Sequence, residues 1–179
     1  MAVETLKSTS ITSLDTVPVS ALTAGMGGAG AVMECGDYVT VSASASTTST
    51  YKLARVPTNA KVKAVVFESE AQGAGKFDLS VYYSSSTVDG TAPAVQGIIV
   101  PTTGAAFFAS AIDCASLVVP TNVINESTSN TLAKRNQPLW QALGLTSDPG
   151  GFFDIVAVCV TTAVTTGTGK MGVRVQYVN

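Results

Sequence analysis

Carboxylates are the residues of this chain best placed to do chemistry. Asp148 and Asp154 bracket a Pro149-Gly150-Gly151 turn, and Glu68 and Glu70 stand two positions apart beside the loop AQGAG. An i, i+2 pair on a strand points one way, and a glycosidase needs two carboxylates roughly 5 to 10 Å apart. That geometry makes Glu68 and Glu70 a candidate carboxylate-only hydrolase pair. The competing reading is a solvated strand end, because charged residues beside a loop usually mark water, and it is the stronger one. For Asp148 and Asp154 the candidate is a calcium loop, which needs several oxygen ligands at alternate positions. Only Asp148, Asp154 and Ser147 are on offer, too few for a metal. Asp before Pro-Gly is instead the signature of a type II turn. Asp154 then becomes a lone charge on the apolar run FFDIVAVCV. It is expected near the start of that strand, where water or a partner's donor satisfies it, since an unpaired buried carboxylate is costly.

The chain contains no histidine. That excludes Ser-His-Asp and Cys-His nucleophiles, His-ligated zinc and imidazole acid–base catalysis. Cys35, Cys114 and Cys159 are odd in number, far apart and without a CxxC, so they read as buried thiols. Gly25-Met26-Gly27-Gly28-Ala29-Gly30 matches GxGxxG in letters. The dinucleotide fingerprint also needs a strand before it, a helix after it and an acidic residue about 20 positions on. None of the three is present, so the match is a glycine-rich hinge. No catalytic, cofactor-binding or metal-binding residue is assigned. Trp140 with Tyr82 and Tyr83 is a candidate sugar-stacking platform. Trp140 is also read, with Phe152 and Phe153, as a core or interface anchor. Asn125-Glu126-Ser127 fits a glycosylation sequon that is expected to stay unused, because the N-terminal residues lack a secretion signal.

Composition narrows the partners. Charged residues make up 12% of the 179 residues, against about 25% in an average soluble protein. A surface with so few charges is expected to be covered in part by other copies or by a partner. The net charge of −2 and pI near 5.0 leave no basic footprint for nucleic acid. Lys134-Arg135 is the one adjacent basic pair and reads as a solvated loop. No apolar run approaches the roughly 18 residues of a membrane span.

The elements that position these residues are strands. Residues 1–35 read as an extended N-terminal arm and glycine-rich hinge, with apolar islands at Leu6, Ile11 and Leu14 but no sustained period. From residue 36 to 179 the pattern is that of one β-domain. DYVTVS, STYKLARV, AKVKAVVFESE, GKFDLSVYY, AVQGIIVP, FFDIVAVCVTT and KMGVRVQYV all read as strands. Tyr51, Leu53 and Arg55 are expected on one face of theirs. Val62, Ala64 and Val66 are expected to alternate against Lys61, Lys63, Val65 and Phe67. The loop AQGAG predicts that the strands either side of it pair as a hairpin. AAFFASAIDCASLVV is either a short helix or a strand pair, and PLWQALGL is a brief helix with Pro138 in its first turn and Gly144 at its end. FFDIVAVCV, apolar on both faces, should sit centrally in a sheet. The fold expected is all-β, a β-sandwich or jelly-roll-like domain with an arm and one short helix.

The stretches STYKLARVPTNAKVKAVVFESE, SSSTVDGTAPAVQG and PLWQALGLTSDPGGFFDIVAV together resemble a family of small tailed-bacteriophage structural proteins, the head decoration or cement proteins. The resemblance implies a β-rich homo-oligomer, frequently a trimer, that binds the major capsid protein on the outside of the head. It implies no catalytic residues, in keeping with the composition, which points to neither nucleic acid nor membrane as a partner. It places the protein in the virion after synthesis in the host cytoplasm. On this reading the arm, with Leu6, Ile11 and Leu14, contacts the capsid. The alternative is a tail- or fibre-associated virion protein binding host glycans through Tyr82, Tyr83 and Trp140.

Overall fold

Alternating apolar residues in short runs, separated by Gly, Pro, Ser and Thr, fold here into strands and little else. The computed structural model describes residues 31–43, 45–84, 105–164 and 169–179. Nine strands occur among them: β1 (Met33–Cys35), β2 (Tyr38–Thr40), β3 (Thr50–Pro57), β4 (Lys61–Ser69), β5 (Lys76–Tyr83), β6 (Ala109–Asp113), β7 (Val118–Asn122), β8 (Phe152–Val160) and β9 (Lys170–Val178). They form two antiparallel sheets. The first has the order β1-β9-β4-β7, with β2 also beside β9, and the second has the order β3-β8-β5-β6. The fold is an all-β sandwich.

The two inner faces meet in one core. The first sheet contributes Val62, Val65 and Phe67 from β4 and Met171, Val173 and Val175 from β9. The second contributes Leu53 and Val56 from β3, Phe77, Leu79 and Val81 from β5, and Phe153, Ile155, Ala157 and Cys159 from β8. Full burial of each large side chain is worth about 1.5–3 kcal/mol, so these residues dominate the stability of the domain. β8 lies between β3 and β5, in the central position expected from its apolar composition. β9 is equally central in its own sheet, with β1 and β2 on one side and β4 on the other.

β4 and β5 do not pair as a hairpin; they lie in different sheets. Each strand is amphipathic, and two amphipathic strands can bury their apolar sides side by side or face to face. Here they meet face to face, and residues 70–75 cross between the layers. Gln72, fully buried, plugs that crossing: its backbone N–H donates to Cys114 O at 2.7 Å, and Cys114 N–H returns a bond to Gly75 O at 3.0 Å. β8 and β9, also consecutive, are split between the sheets in the same way.

Two bulges move residues off the expected faces. The β4–β9 register slips between Val62 and Ala64, so Val62, Val65 and Phe67 point inward rather than Val62, Ala64 and Val66. The β3–β8 register slips between Lys52 and Ala54. Leu53 and Val56 are therefore the buried pair on β3, and Arg55 turns outward instead of following Leu53. A bulge adds one residue to a strand and so reverses the parity of all that follows.

The ambiguous stretch from residue 105 to 119 holds two strands, β6 and β7, again one in each sheet. PLWQALGL contains the helix α1 (Leu139–Ala142), with Pro138 at its N-cap and Gly144 beyond its end at φ +79°. A 3-10 helix, Leu132–Asn136, precedes it in the polar stretch read as loop. Met33–Cys35, in the stretch read as arm and hinge, is strand β1 of the first sheet. Leu6, Ile11, Leu14, the GxGxxG match and the AVQGIIVP strand lie outside the described residues.

Candidate functional site

Asp154 is satisfied from within its own chain. The β3–β8 register sets Arg55 directly across from it. Arg55 Nε donates to Asp154 Oδ1 at 2.6 Å and Nη2 to Oδ2 at 3.1 Å, while Lys52 Nζ lies 3.2 Å from Oδ2. The β3 bulge is what makes this clasp. It places Lys52 and Arg55, three positions apart, on the same outer side of the sheet, so both reach one carboxylate. Asp154 is 1% exposed, and the paired cations hold the charge that burial alone would penalise. The guanidinium is pushed above its ordinary value, chiefly by its hydrogen bond to Asp154. Donors from the neighbouring strand, rather than water or a partner, replace the expected environment. Asp148, by contrast, is a turn residue: its Oδ1 accepts from Gly150 N at 2.9 Å.

Glu68 and Glu70 lie at a cleft on the outer face of the first sheet. Gly172 of β9 is flanked by Tyr38 of β2 on one side and Glu68 of β4 on the other. The missing side chain leaves a depression of about 250 Å³ walled by Tyr38, Glu68, Ser69, Glu70, Lys170 and Met171. A Cβ at Gly172 would come within 3.1 Å of Asp37 O and 3.2 Å of Tyr38 Cβ. Lys170 Nζ sits 4.7 Å from the Tyr38 ring centroid, a cation–π contact. Glu70 Oε2 accepts from Lys170 N at 2.7 Å, and Lys170 O accepts from Glu70 N at 2.8 Å. Glu70 therefore works as a clamp on the end of the β4–β9 ladder. Tyr38 and Gly172 meet only through the strand register, which no local sequence pattern signals.

The aromatic platform is divided. Tyr82 and Tyr83 are consecutive on β5 and so point to opposite faces. Tyr83 packs on Phe153 with ring centroids 5.7 Å apart, and both Tyr83 and Trp140 pack against the core. Trp140 is held by its backbone N–H, which donates to Thr58 O at 3.0 Å. Phe153 is fully buried, whereas its neighbour Phe152 is 39% exposed on the outer side.

The thiols are unpaired, Cys114 and Cys159 buried and Cys35 half-buried. Burial pushes all three up, Cys114 to about 11. A raised pKa suppresses the reactive thiolate. Among the described residues no group of three or more His, Cys, Asp or Glu side chains gathers as a metal site would require. No helix among them is long and apolar enough to cross a membrane.

Large apolar side chains remain at the surface: Val32, Tyr38, Leu117, Val119, Leu132 and Phe152, exposed from 39% to 72%. Leu117 and Val119 lie on and beside β7, the edge strand of the first sheet, where Pro120 removes one backbone donor.

No protein-family model matches the chain. No curated protein matches it either. Among solved structures, a chain of the cyanophage Pam1 capsid asymmetric unit aligns over 92% of this chain and 96% of that one, with 15% sequence identity and a TM-score of 0.44.

Proposed function

We propose that the protein is a bacteriophage capsid decoration protein, a cement protein without catalytic activity, which binds the outer head lattice as a homo-oligomer, most simply a trimer. The observation that carries this reading is the surface. A sandwich built from a chain with only 12% charged residues leaves six large apolar side chains more than a third exposed among its described residues. Such a surface fits a protein that works attached to others. The resemblance of residues 49–70, 84–97 and 138–158 to the head decoration family supplies the identity of those others.

The mechanism is linkage. A protein that binds the assembled lattice more tightly than free capsid subunits stabilises assembly in proportion to that preference. An oligomer multiplies each weak contact by its valency. The test is the particle itself. Decoration requires many copies per head, all on the shell, and heads lacking the protein should rupture at lower temperature. Removal of residues 1–20, which include Leu6, Ile11 and Leu14, should lower occupancy while leaving a folded oligomer. A few copies confined to the tail, or heads equally stable without the protein, would refute the reading.

A further inference from the structure

The adjacent basic pair Lys134-Arg135 is not simply a solvated loop. The 3-10 helix Leu132–Asn136 packs on β4. There Lys63, Leu132, Arg135 and Asn136 enclose an open cavity of about 290 Å³. Lys63 Nζ donates to Asn136 Oδ1 at 2.8 Å. That bond engages the amide oxygen on the Lys63 side, and the Asn136 N–H groups remain to offer a visitor. Lys63 keeps further N–H donors, and Arg135 carries a buried Nε without a hydrogen-bond partner. Among the described residues no carboxylate lines the cavity. The lining is therefore rich in donors, and two of its side chains, Lys63 and Arg135, carry positive charge.

The neighbouring groups sharpen this one-sidedness. Lys134 turns to Ser129 O at 2.8 Å and lies over the Phe107 ring, adding positive charge without an acceptor. Burial first, and then the nearby charges of Lys61 and Arg135, push Lys63 below its ordinary value. An anion entering between Lys63 and Arg135 relieves that repulsion and completes charge-assisted hydrogen bonds. At the rim Leu132 is 72% exposed, so the visitor meets an apolar surface beside the charge.

We propose that this cavity docks an acidic segment of a partner protein, with an Asp or Glu carboxylate between Lys63 and Arg135 and an adjacent apolar side chain over Leu132. A peptide supplies both features within a few atoms. A nucleic-acid backbone does not use the leucine, and it favours a basic stripe that a chain of net charge −2 lacks. The inference does not rest on the capsid reading and stands wherever such a partner occurs.

The test uses the full chain in calorimetric and NMR titrations. The probes are a blocked peptide of alternating leucine and glutamate, its glutamine counterpart, inorganic phosphate and a short oligothymidylate. The acidic peptide should bind and move the side-chain signals of Lys63 and Arg135, and high salt should weaken it. Arg135→Gln and, separately, Lys63→Gln should each weaken it about tenfold. If one variant unfolds at lower temperature, the other carries the comparison. Equal binding of the glutamine peptide would overturn the proposal. So would phosphate matching the peptide, which marks a bare anion hole, or tighter binding of oligothymidylate. No binding of the acidic peptide would also overturn it.

Discussion

Arg55 on β3 faces Asp154 on β8 at a hydrogen-bonded distance of 2.6 Å, and the pair joins a buried carboxylate to a guanidinium still 43% exposed. The asymmetry in burial decides which half matters more. Removing Asp154 leaves cations that water can solvate, whereas removing Arg55 leaves the carboxylate with Lys52 alone. Because Lys52 still pairs with the carboxylate, Arg55→Met is expected to cost about 1–3 kcal/mol, more than Asp154→Asn. The double variant Arg55→Met/Asp154→Asn should recover part of that loss. Urea midpoints across the double-mutant cycle measure the coupling, and simple additivity would show that the clasp contributes nothing.

Two glycines with positive φ should differ in how much a side chain costs there. Gly36, at φ +151°, fills the break between β1 and β2, and a Cβ there would meet Val173 O at 1.9 Å. Gly144, at φ +79°, has nothing within 4 Å of the same position. Gly36→Ala must displace backbone in the centre of the first sheet and should lower stability by more than about 2 kcal/mol. Gly144→Ala pays only for a left-handed alanine, about 1 kcal/mol. Thermal melts of the two variants check the order.

The adjacent phenylalanines should separate cleanly. Phe153→Ala opens a cavity in a fully packed core and is expected to cost about 3–5 kcal/mol. Phe152→Ser, on the outer side, should change stability by no more than about 0.5 kcal/mol. If Phe152 is part of an attachment or self-association surface, as proposed, that variant should bind heads or its own copies less well while melting like the parent. Sedimentation and head-binding assays supply the second measurement.

Alkaline pH should destabilise the fold. Cys114 is raised from 9.0 to about 11 by burial, so between those values the unfolded chain has lost a proton that the folded chain retains. Stability is therefore unaffected below pH 9 and falls as pH rises toward 11. The shift corresponds to a loss on the order of 3 kcal/mol for a fully buried group. The slope should flatten in Cys114→Ala, measured as ΔG of unfolding against pH. Tyr51, Tyr82, Tyr83 and Tyr177 are raised too, chiefly by burial, and act in the same direction at higher pH. An unchanged slope in Cys114→Ala would remove the thiol from the account.

What could be read along the chain was whatever depends on neighbours in sequence. The alternation in KMGVRVQYV, the double-sided apolar run of FFDIVAVCV, the Asp-Pro-Gly turn and the short Pro-capped helix are local patterns, and the strands and helix appear where they predict. The bulges at β3 and β4 were not legible, because an inserted residue leaves no mark in an alternating pattern that remains apolar. Alternation alone sets Arg55 on the face of Leu53, and the bulge turns it toward Asp154 instead. The cleft at Tyr38, Gly172 and Glu68 joins residues more than 100 positions apart, and no spacing rule reaches that far.

An all-β domain, the absence of imidazole chemistry and the scarcity of charge follow from composition and side-chain period, which are properties of the chain alone. Which strands share a sheet is settled by long-range pairing. An amphipathic strand buries the same apolar area whether its partner lies beside it or across the core. The choice between hairpin and sandwich rests on distant pairings, and with it rests the gathering of Lys63 with Arg135 and of Lys52 and Arg55 with Asp154.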